Sequence, residues 1–405
     1  MKKILVSAIS LLSLLTASQS SAQKWEGLAL TPPMGWSSWN CFGLDINEEK
    51  IRGIADAMVE NGLLEAGYTY VNLDDAWQAE TRDEDCNINP DPQKFPSGMK
   101  ALSDYIHSKG LKFGVYSDVG CQTCGGHLGS LGHEYQDAKR YADWGVDYLK
   151  YDWCNNDGLT QQGAYKLMSE ALKATGRPIL FSMCEWGTSE PWKWAQDVAH
   201  MWRTTNDIHA KFDSYKHYGT WGTSGVLQLL DRNVHLRKYA GPGHWNDADM
   251  LEVGNGMSVN EDRAHFSMWC MLASPLILGN DIRNMSQETK DIILNKEVIA
   301  IDQDSLGMQG LRYLTDSGIE YWFKPLVNDD WAFCILNRTL EPRQIDIDWK
   351  DFDFEDLTFN RKTDLGKTVY NIRNVWTHKD EGTTAKNRTV TVPGHDVVMY
   401  RLSKK

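Results

Sequence analysis

Long hydrophobic runs are missing from this 405-residue chain. Its mostly apolar stretch, Ile4 to Leu15, is broken by serines and falls short of the roughly 20 residues that a membrane span needs. No cysteine follows that stretch closely, which argues against a lipid-anchored terminus. Basic charge is also in deficit: 42 Lys and Arg stand against 55 Asp and Glu, for a net charge of −13. Such a chain is a poor binder of nucleic acid or anionic lipid. Eight cysteines in a chain of this length are too few for a disulfide scaffold. Metal motifs are absent as well: there is no HExxH, no H-x-H, and Cys121-x-x-Cys124 stands alone in a Gly-rich stretch.

What is present begins with a leader. Lys2 and Lys3 precede the apolar run, and Ser20-Ser21-Ala22 offers a small-residue cleavage site. Residues 1–22 are therefore predicted to be a signal peptide, and the mature protein to be secreted or periplasmic, where disulfides are permitted. The remainder is the right length for a barrel plus one companion domain. The chain holds 17 Trp and 16 Tyr. Such rings stack on the C–H faces of sugars, although a large aromatic core would use them equally well.

Short β-rich runs recur along residues 31–281, each ending in polar or aromatic residues: MGWSSW, VNLDDAW, GVYSDVG, YLKYDWC, ILFSMCEWG, HMWRTTND, GHWNDADML and PLILGND. With Trp36, Asp74, Tyr116, Asp152, Glu185, Asp207, Asp247 and Asn280 as markers, the gaps are 38, 42, 36, 33, 22, 40 and 33 residues. A βα unit takes about 30 residues, and eight make a (β/α)8 TIM barrel. Between the runs, Ile51, Ile54, Ala55 and Met58 fall on one helical face, with Asn47 as cap and Asn61-Gly62 as stop. A doubly wound open sheet competes, but it would not place polar clusters at eight successive strand ends, and no GxGxxG follows the first run. The barrel is assigned to residues 23–306. From 307 to 405 the pattern changes: Ile345 to Trp349 and Thr389 to Val392 alternate at period two, and Val397 to Leu402 reads as a last strand. This predicts a C-terminal antiparallel β-sandwich. No low-complexity linker separates the two parts, which are expected to pack rigidly.

In a TIM barrel the C-terminal strand ends share one pocket. Here it would gather Asp74, Asp75, Asp118, Asp152, Glu185, Asp207 and Asp247 around Lys150 and Arg203. Glycoside hydrolysis by paired acids and metal-dependent barrel chemistry both use such carboxylates. The shortage of histidine ligands favours the first, and no cofactor or metal is called for. Lys150 and Asp152 lie two residues apart on one strand and face the same way. Such a lysine would lower the Asp152 pKa and keep it ionised, as a nucleophile requires; taken alone, the pair is an ordinary salt bridge. Asp207, past its strand end, is placed to act as a protonated acid. Arg203 suits a sugar hydroxyl or a neighbouring carboxylate. Asp74 and Asp75 cannot both face the pocket unless the strand ends or bulges there. If both do, two acids can accept from vicinal hydroxyls; alone they would be a polar turn.

The strings TPPMGWSSWN, NLDDAW, FPSGMKALSDYIHSKGLKFGVYSDVG, WGVDYLKYDWC, SMCEWG, WRTTNDI and GPGHWNDADMLEVG follow one another across residues 25–310. In that order the chain resembles glycoside hydrolase family 27, the clan D melibiases. The resemblance implies a retaining, exo-acting α-galactosidase that works by double displacement on terminal α-galactosyl residues. It implies Asp152 as nucleophile and Asp207 as acid/base. Trp36, Asp74, Asp75, Tyr116, Cys124, Lys150, Glu185, Trp186 and Arg203 match positions around the galactose. Asp74 and Asp75 would hold the 4- and 6-hydroxyls, and Glu185 with Arg203 the 2-hydroxyl. A Cys124–Cys154 disulfide is implied too. Departures are Ala76 where a cysteine is common, the extra Cys86 and Cys121, which could bridge loops, and Ala248 for a proline. Within the family, α-N-acetylgalactosaminidases keep small residues at the Glu185 position, and β-L-arabinopyranosidases enlarge an acid near Asp74-Asp75. A binding protein without activity would have lost one of the two catalytic acids.

Overall fold

The computed structural model describes residues 24–405 except Asp157; the predicted leader, 1–22, lies outside the described residues. Eight parallel strands form one sheet: β1 (Met34–Ser37), β2 (Tyr70–Leu73), β3 (Lys112–Asp118), β4 (Tyr148–Asp152), β5 (Leu180–Cys184), β6 (Met201–Arg203), β7 (Trp245–Asp247) and β8 (Leu276–Leu278). Their spatial order is β8-β1-β2-β3-β4-β5-β6-β7. Just past β7, Leu251 bridges Leu278, with Leu251 N donating to Ile277 O at 2.8 Å. That bridge brings the two ends of the sheet together as a TIM-like barrel. Asp74, Asp152, Glu185, Asp247 and Asn280 sit at or just past the C-terminal ends of these strands; Trp36 and Tyr116 lie within β1 and β3, and Asp207 lies four residues past β6.

The helices between the strands form for the reasons the pattern gave. Glu48–Glu60 starts at Asn47, whose side chain accepts from Lys50 N, and buries Ile51, Ile54, Ala55 and Met58. The helix before β8, Val259–Leu272, opens with a reciprocal capping box between Ser258 and Glu261. It is buried almost all round, because one face meets the barrel and another the C-terminal domain.

That domain is built on a six-stranded antiparallel sheet, in which Trp331–Asn337 pairs with Asp396–Lys404. A second layer pairs Arg343–Ile347 with Arg388–Val392. Ile345, Ile347, Val390 and Val392 point into the space between the layers, as period-two alternation requires, and pack on Phe333, Ile335 and Tyr400. The domain's other face joins the barrel core: Trp322, Cys334, Val397 and Met399 lie in one apolar cluster with Met268 and Met271. Buried polar links reinforce this junction. Lys324 Nζ donates to Cys270 O at 2.7 Å, and Arg237 forks onto Asp356. Among the described residues, no helix is long and apolar enough to cross a membrane.

Candidate active site

The strand ends enclose a cavity of about 220 Å³ lined by Asp74, Asp75, Tyr116, Cys124, Lys150, Asp152, Trp186, Arg203 and Asp207. At roughly 30 Å³ per water, this is room for about seven waters, the bulk of one sugar ring. A larger cleft, about 1040 Å³, lies between the barrel and the C-terminal domain and includes Arg263 and Glu297. Those charges are committed to Asp396 and Arg373. Unlike that cleft, the smaller cavity gathers carboxylates at strand ends.

Parallel pairing sets the geometry of its floor. Tyr116, Lys150 and Ser182 lie side by side in register across β3, β4 and β5. Lys150 Nζ sits 5.0 Å from the Tyr116 ring centre and 2.9 Å from Asp74 Oδ2. Its ion-pair partner is thus Asp74, not the neighbouring Asp152. Asp152 Oδ1 accepts from Trp153 N at 3.0 Å, and Oδ2 has no hydrogen bond among the described residues. The expected lowering of the Asp152 pKa is not what the structure gives. Burial pushes it up to about 6; Lys150 pulls it down, the Asp207 charge pushes it up, and burial wins.

The β2 strand ends at Leu73, so Asp74 and Asp75 are released from alternation and both reach the cavity. Asp74 also accepts from Ser37 Oγ, at 3.3 Å. Asp75 accepts from Ala76 N at 2.7 Å and Gly125 N at 2.8 Å. A Cβ on Gly125 would stand 2.7 Å from that carboxylate, so glycine is needed for the approach. Burial raises the Asp75 pKa, against these donors.

Arg203 is almost wholly buried and turns to carboxylates. Its Nη2 reaches Asp207 Oδ1 at 3.1 Å and Asp249 Oδ2 at 2.9 Å. Asp207 has 44% of its side chain exposed, at the mouth, whereas Asp249 is buried. Asp249 also accepts from Ile208 N at 2.7 Å, which fixes the backbone beside Asp207. Sequence reading missed Asp249, although its i+2 spacing from Asp247 was the available signal. Trp39, Asn40, Trp221, Thr223 and Met250 also line the cavity and were not singled out.

Other expected site residues lie elsewhere. Asp118 is buried and clamps the loops after β3 and β4 by accepting from Gly120 N and Cys154 N; burial first, then the Asp152 charge, lifts its pKa to about 8. Asp247 lines a small void deeper in the barrel, and burial raises it to about 6. Trp36 is fully buried with its indole N–H on Asn280 O. Glu185 does not line the cavity. It is 0% exposed, and its Oε2 accepts from Thr188 Oγ1 at 2.6 Å and Ser189 N at 2.7 Å. The next residue, Trp186, adopts a left-handed φ of 57°, a conformation that costs about 1–3 kcal/mol and needs a surrounding clamp. Glu185 supplies that clamp and Trp186 reaches the cavity.

Cys124 and Cys154 are disulfide-bonded, with Cα atoms 5.1 Å apart. Cys86 and Cys121 do not bridge; both are free and exposed, and Cys41 and Cys184 are free too. Among the described residues one group has metal-ligand proximity, Asp118 with Cys124 and Cys154. Its sulfurs are spent on each other, so it is no donor set for an ion.

Residues 31–304 match the family described as alpha galactosidase A, and residues 316–402 match the alpha galactosidase C-terminal beta sandwich domain. The chain is 50% identical to alpha-galactosidase A of Cellvibrio japonicus, over the full length of both. Among solved structures it is similar to alpha-galactosidase I from Mortierella vinacea, with a TM-score of 0.88, 38% identity, and coverage of 93% of this chain and 98% of that one. It is also similar to the alpha-galactosidase of Saccharomyces cerevisiae solved with raffinose, with a TM-score of 0.86, 31% identity, and coverage of 95% and 100%. The strand-end carboxylates, the barrel that carries them and these likenesses agree: the chain belongs to the alpha-galactosidase A family of glycoside hydrolases.

Proposed function

We propose that this protein removes terminal α-galactosyl units with retention of configuration, with Asp152 as nucleophile and Asp207 as acid/base. The observation that carries the assignment is the contrast between two carboxylates in one monosaccharide-sized cavity. Asp152 is buried, with one oxygen uncommitted; Asp207 is half-exposed at the mouth, where a leaving group departs. Asp152 attacks the anomeric carbon while Asp207 donates its proton to the glycosidic oxygen. The C–O bond breaks and a galactosyl ester forms on Asp152. Asp207, now ionised, takes a proton from water, which attacks the same carbon and frees Asp152. Lys150 and Arg203 carry positive charge next to this exchange and hold Asp74 and Asp207 in place.

Asp74, Asp75, Tyr116, Lys150, Arg203, Trp186 and Cys124 form the sugar-binding wall in this reading. Trp36 and Glu185 support it from behind. The barrel takes residues 23–306 and the β-sandwich 307–405. The Cys124–Cys154 bridge fits export to an oxidising compartment, following removal of residues 1–22. An activated fluoro-galactoside that traps the glycosyl ester tests the central claim. Peptide mapping should find the label on Asp152, and label on any other carboxylate refutes the assignment.

A further inference from the structure

Beside Asp207 the chain makes a short antiparallel hairpin, Tyr215–His217 with Gly222–Ser224. Gly219, at φ 84°, opens its two-residue turn. A Cβ on Gly222 would meet Lys216 O and Tyr215 Oη at 2.6 Å, so the two strands close only around glycine. The hairpin carries three large rings that the fold does not bury: Tyr215 is 53% exposed, Tyr218 48% and Trp221 56%. Tyr218 and Trp221 stack on one another, with centroids 4.5 Å apart and planes 25° from parallel. An exposed aromatic cluster of this kind is costly to keep in water and marks a binding surface.

Its position says what it binds. Trp221 lines the same cavity as Asp152 and Asp207. The returning strand is bonded to the backbone of the acid's loop: Ser224 N donates to Asp207 O at 2.8 Å, and Asn206 Nδ2 to Gly222 O at 2.8 Å. On the function proposed above, on which this inference rests, Asp207 protonates the glycosidic oxygen. The departing half of the substrate therefore lies on the Asp207 side of the cavity mouth. We infer that the Tyr218–Trp221 pair is the platform for that departing half, and that the half it selects is a pyranose sugar. A pyranose offers a flat C–H face to an indole and a rim of hydroxyls to polar neighbours; Thr223, two residues beyond Trp221, also lines the cavity. The platform favours galactosyl oligosaccharides and sugar-branched chains over galactosides with small or flexible non-sugar aglycones.

The test compares kcat/KM for melibiose with that for α-galactosyl fluoride, whose leaving group has no ring to stack. The ratio of the two should fall about tenfold in Trp221→Ala and severalfold in Tyr218→Ala, and Trp221→Phe should recover most of it. An unmoved ratio in both alanine variants overturns the platform. Should Trp221→Ala fail to fold, Tyr218→Ala and Trp221→Phe decide by the same ratio. If the unaltered enzyme hydrolyses neither substrate, the proposed function falls and the platform with it. An enzyme active on the fluoride with an unmoved ratio loses the platform only.

Discussion

Replacing Asp152 by Asn should abolish turnover and, at neutral pH, make the protein more stable. The Asp152 pKa stands at about 6 in the folded chain against an ordinary 3.8, because burial penalises its charge more than Lys150 relieves it. A folded pKa above the unfolded one means that ionisation works against folding. The penalty is absent below pH 3.8, grows as the pH rises through 3.8 to about 6, and is complete above. At about 1.36 kcal/mol per pH unit, its full size is about 3 kcal/mol. Asparagine keeps an oxygen for Trp153 N but adds an amide that must find an acceptor, at a cost of about 1 kcal/mol. The expected net gain is about 2 kcal/mol, or a rise in Tm of about 2–3 °C for a chain of this length. Paired thermal melts of the unaltered protein and Asp152→Asn between pH 4 and pH 8 check it. The gap should be widest near pH 7.5 and shrink towards pH 4. A variant no more stable than its parent at pH 7.5, or a gain that persists undiminished at pH 4, refutes the reasoning. The same pKa predicts that kcat/KM of the parent falls as the pH drops through about 6, since the nucleophile must be ionised.

Two further outcomes follow from the proposed roles. Asp207→Ala should slow raffinose or melibiose far more than dinitrophenyl galactoside, because a good leaving group needs no proton; equal losses on both would remove Asp207 from the acid role. Glu185→Ser should lose the charge-assisted bonds to Thr188 and Ser189, about 1.5–3 kcal/mol, shift tryptophan fluorescence through Trp186, and lower kcat/KM on galactosides about tenfold. Glu185→Gln should restore most of that loss, and neither variant should gain activity on nitrophenyl α-N-acetylgalactosaminide. Such a gain would show that Glu185 reads the 2-position directly.

Much of this protein was legible without coordinates, for reasons of local geometry. The eight strand ends are readable because a pleated strand alternates its faces and its last residues point into the shared mouth. That rule puts Lys150 and Asp152 on one face of β4, but it does not reach Asp207, four residues past the end of β6. Period-two alternation in 345–349 and 389–392 likewise announces the sandwich. What only the tertiary structure decided involves choices among several partners. Lys150 is two residues from Asp152 yet pairs with Asp74, 76 residues away, because Nζ goes to the carboxylate within reach and no sequence spacing states that reach. The Asp152 pKa depends on desolvation, a sum over everything packed around it, and so its sign could not be read from one adjacent lysine. Glu185 sits in a motif expected to surround the sugar, but one of its carboxylate oxygens accepts from Thr188 and Ser189 in its own loop. Trp221 looked like one aromatic among many. Bonds made by the folded chain, from Ser224 N to Asp207 O and from Asn206 Nδ2 to Gly222 O, carry its hairpin to the mouth of the site.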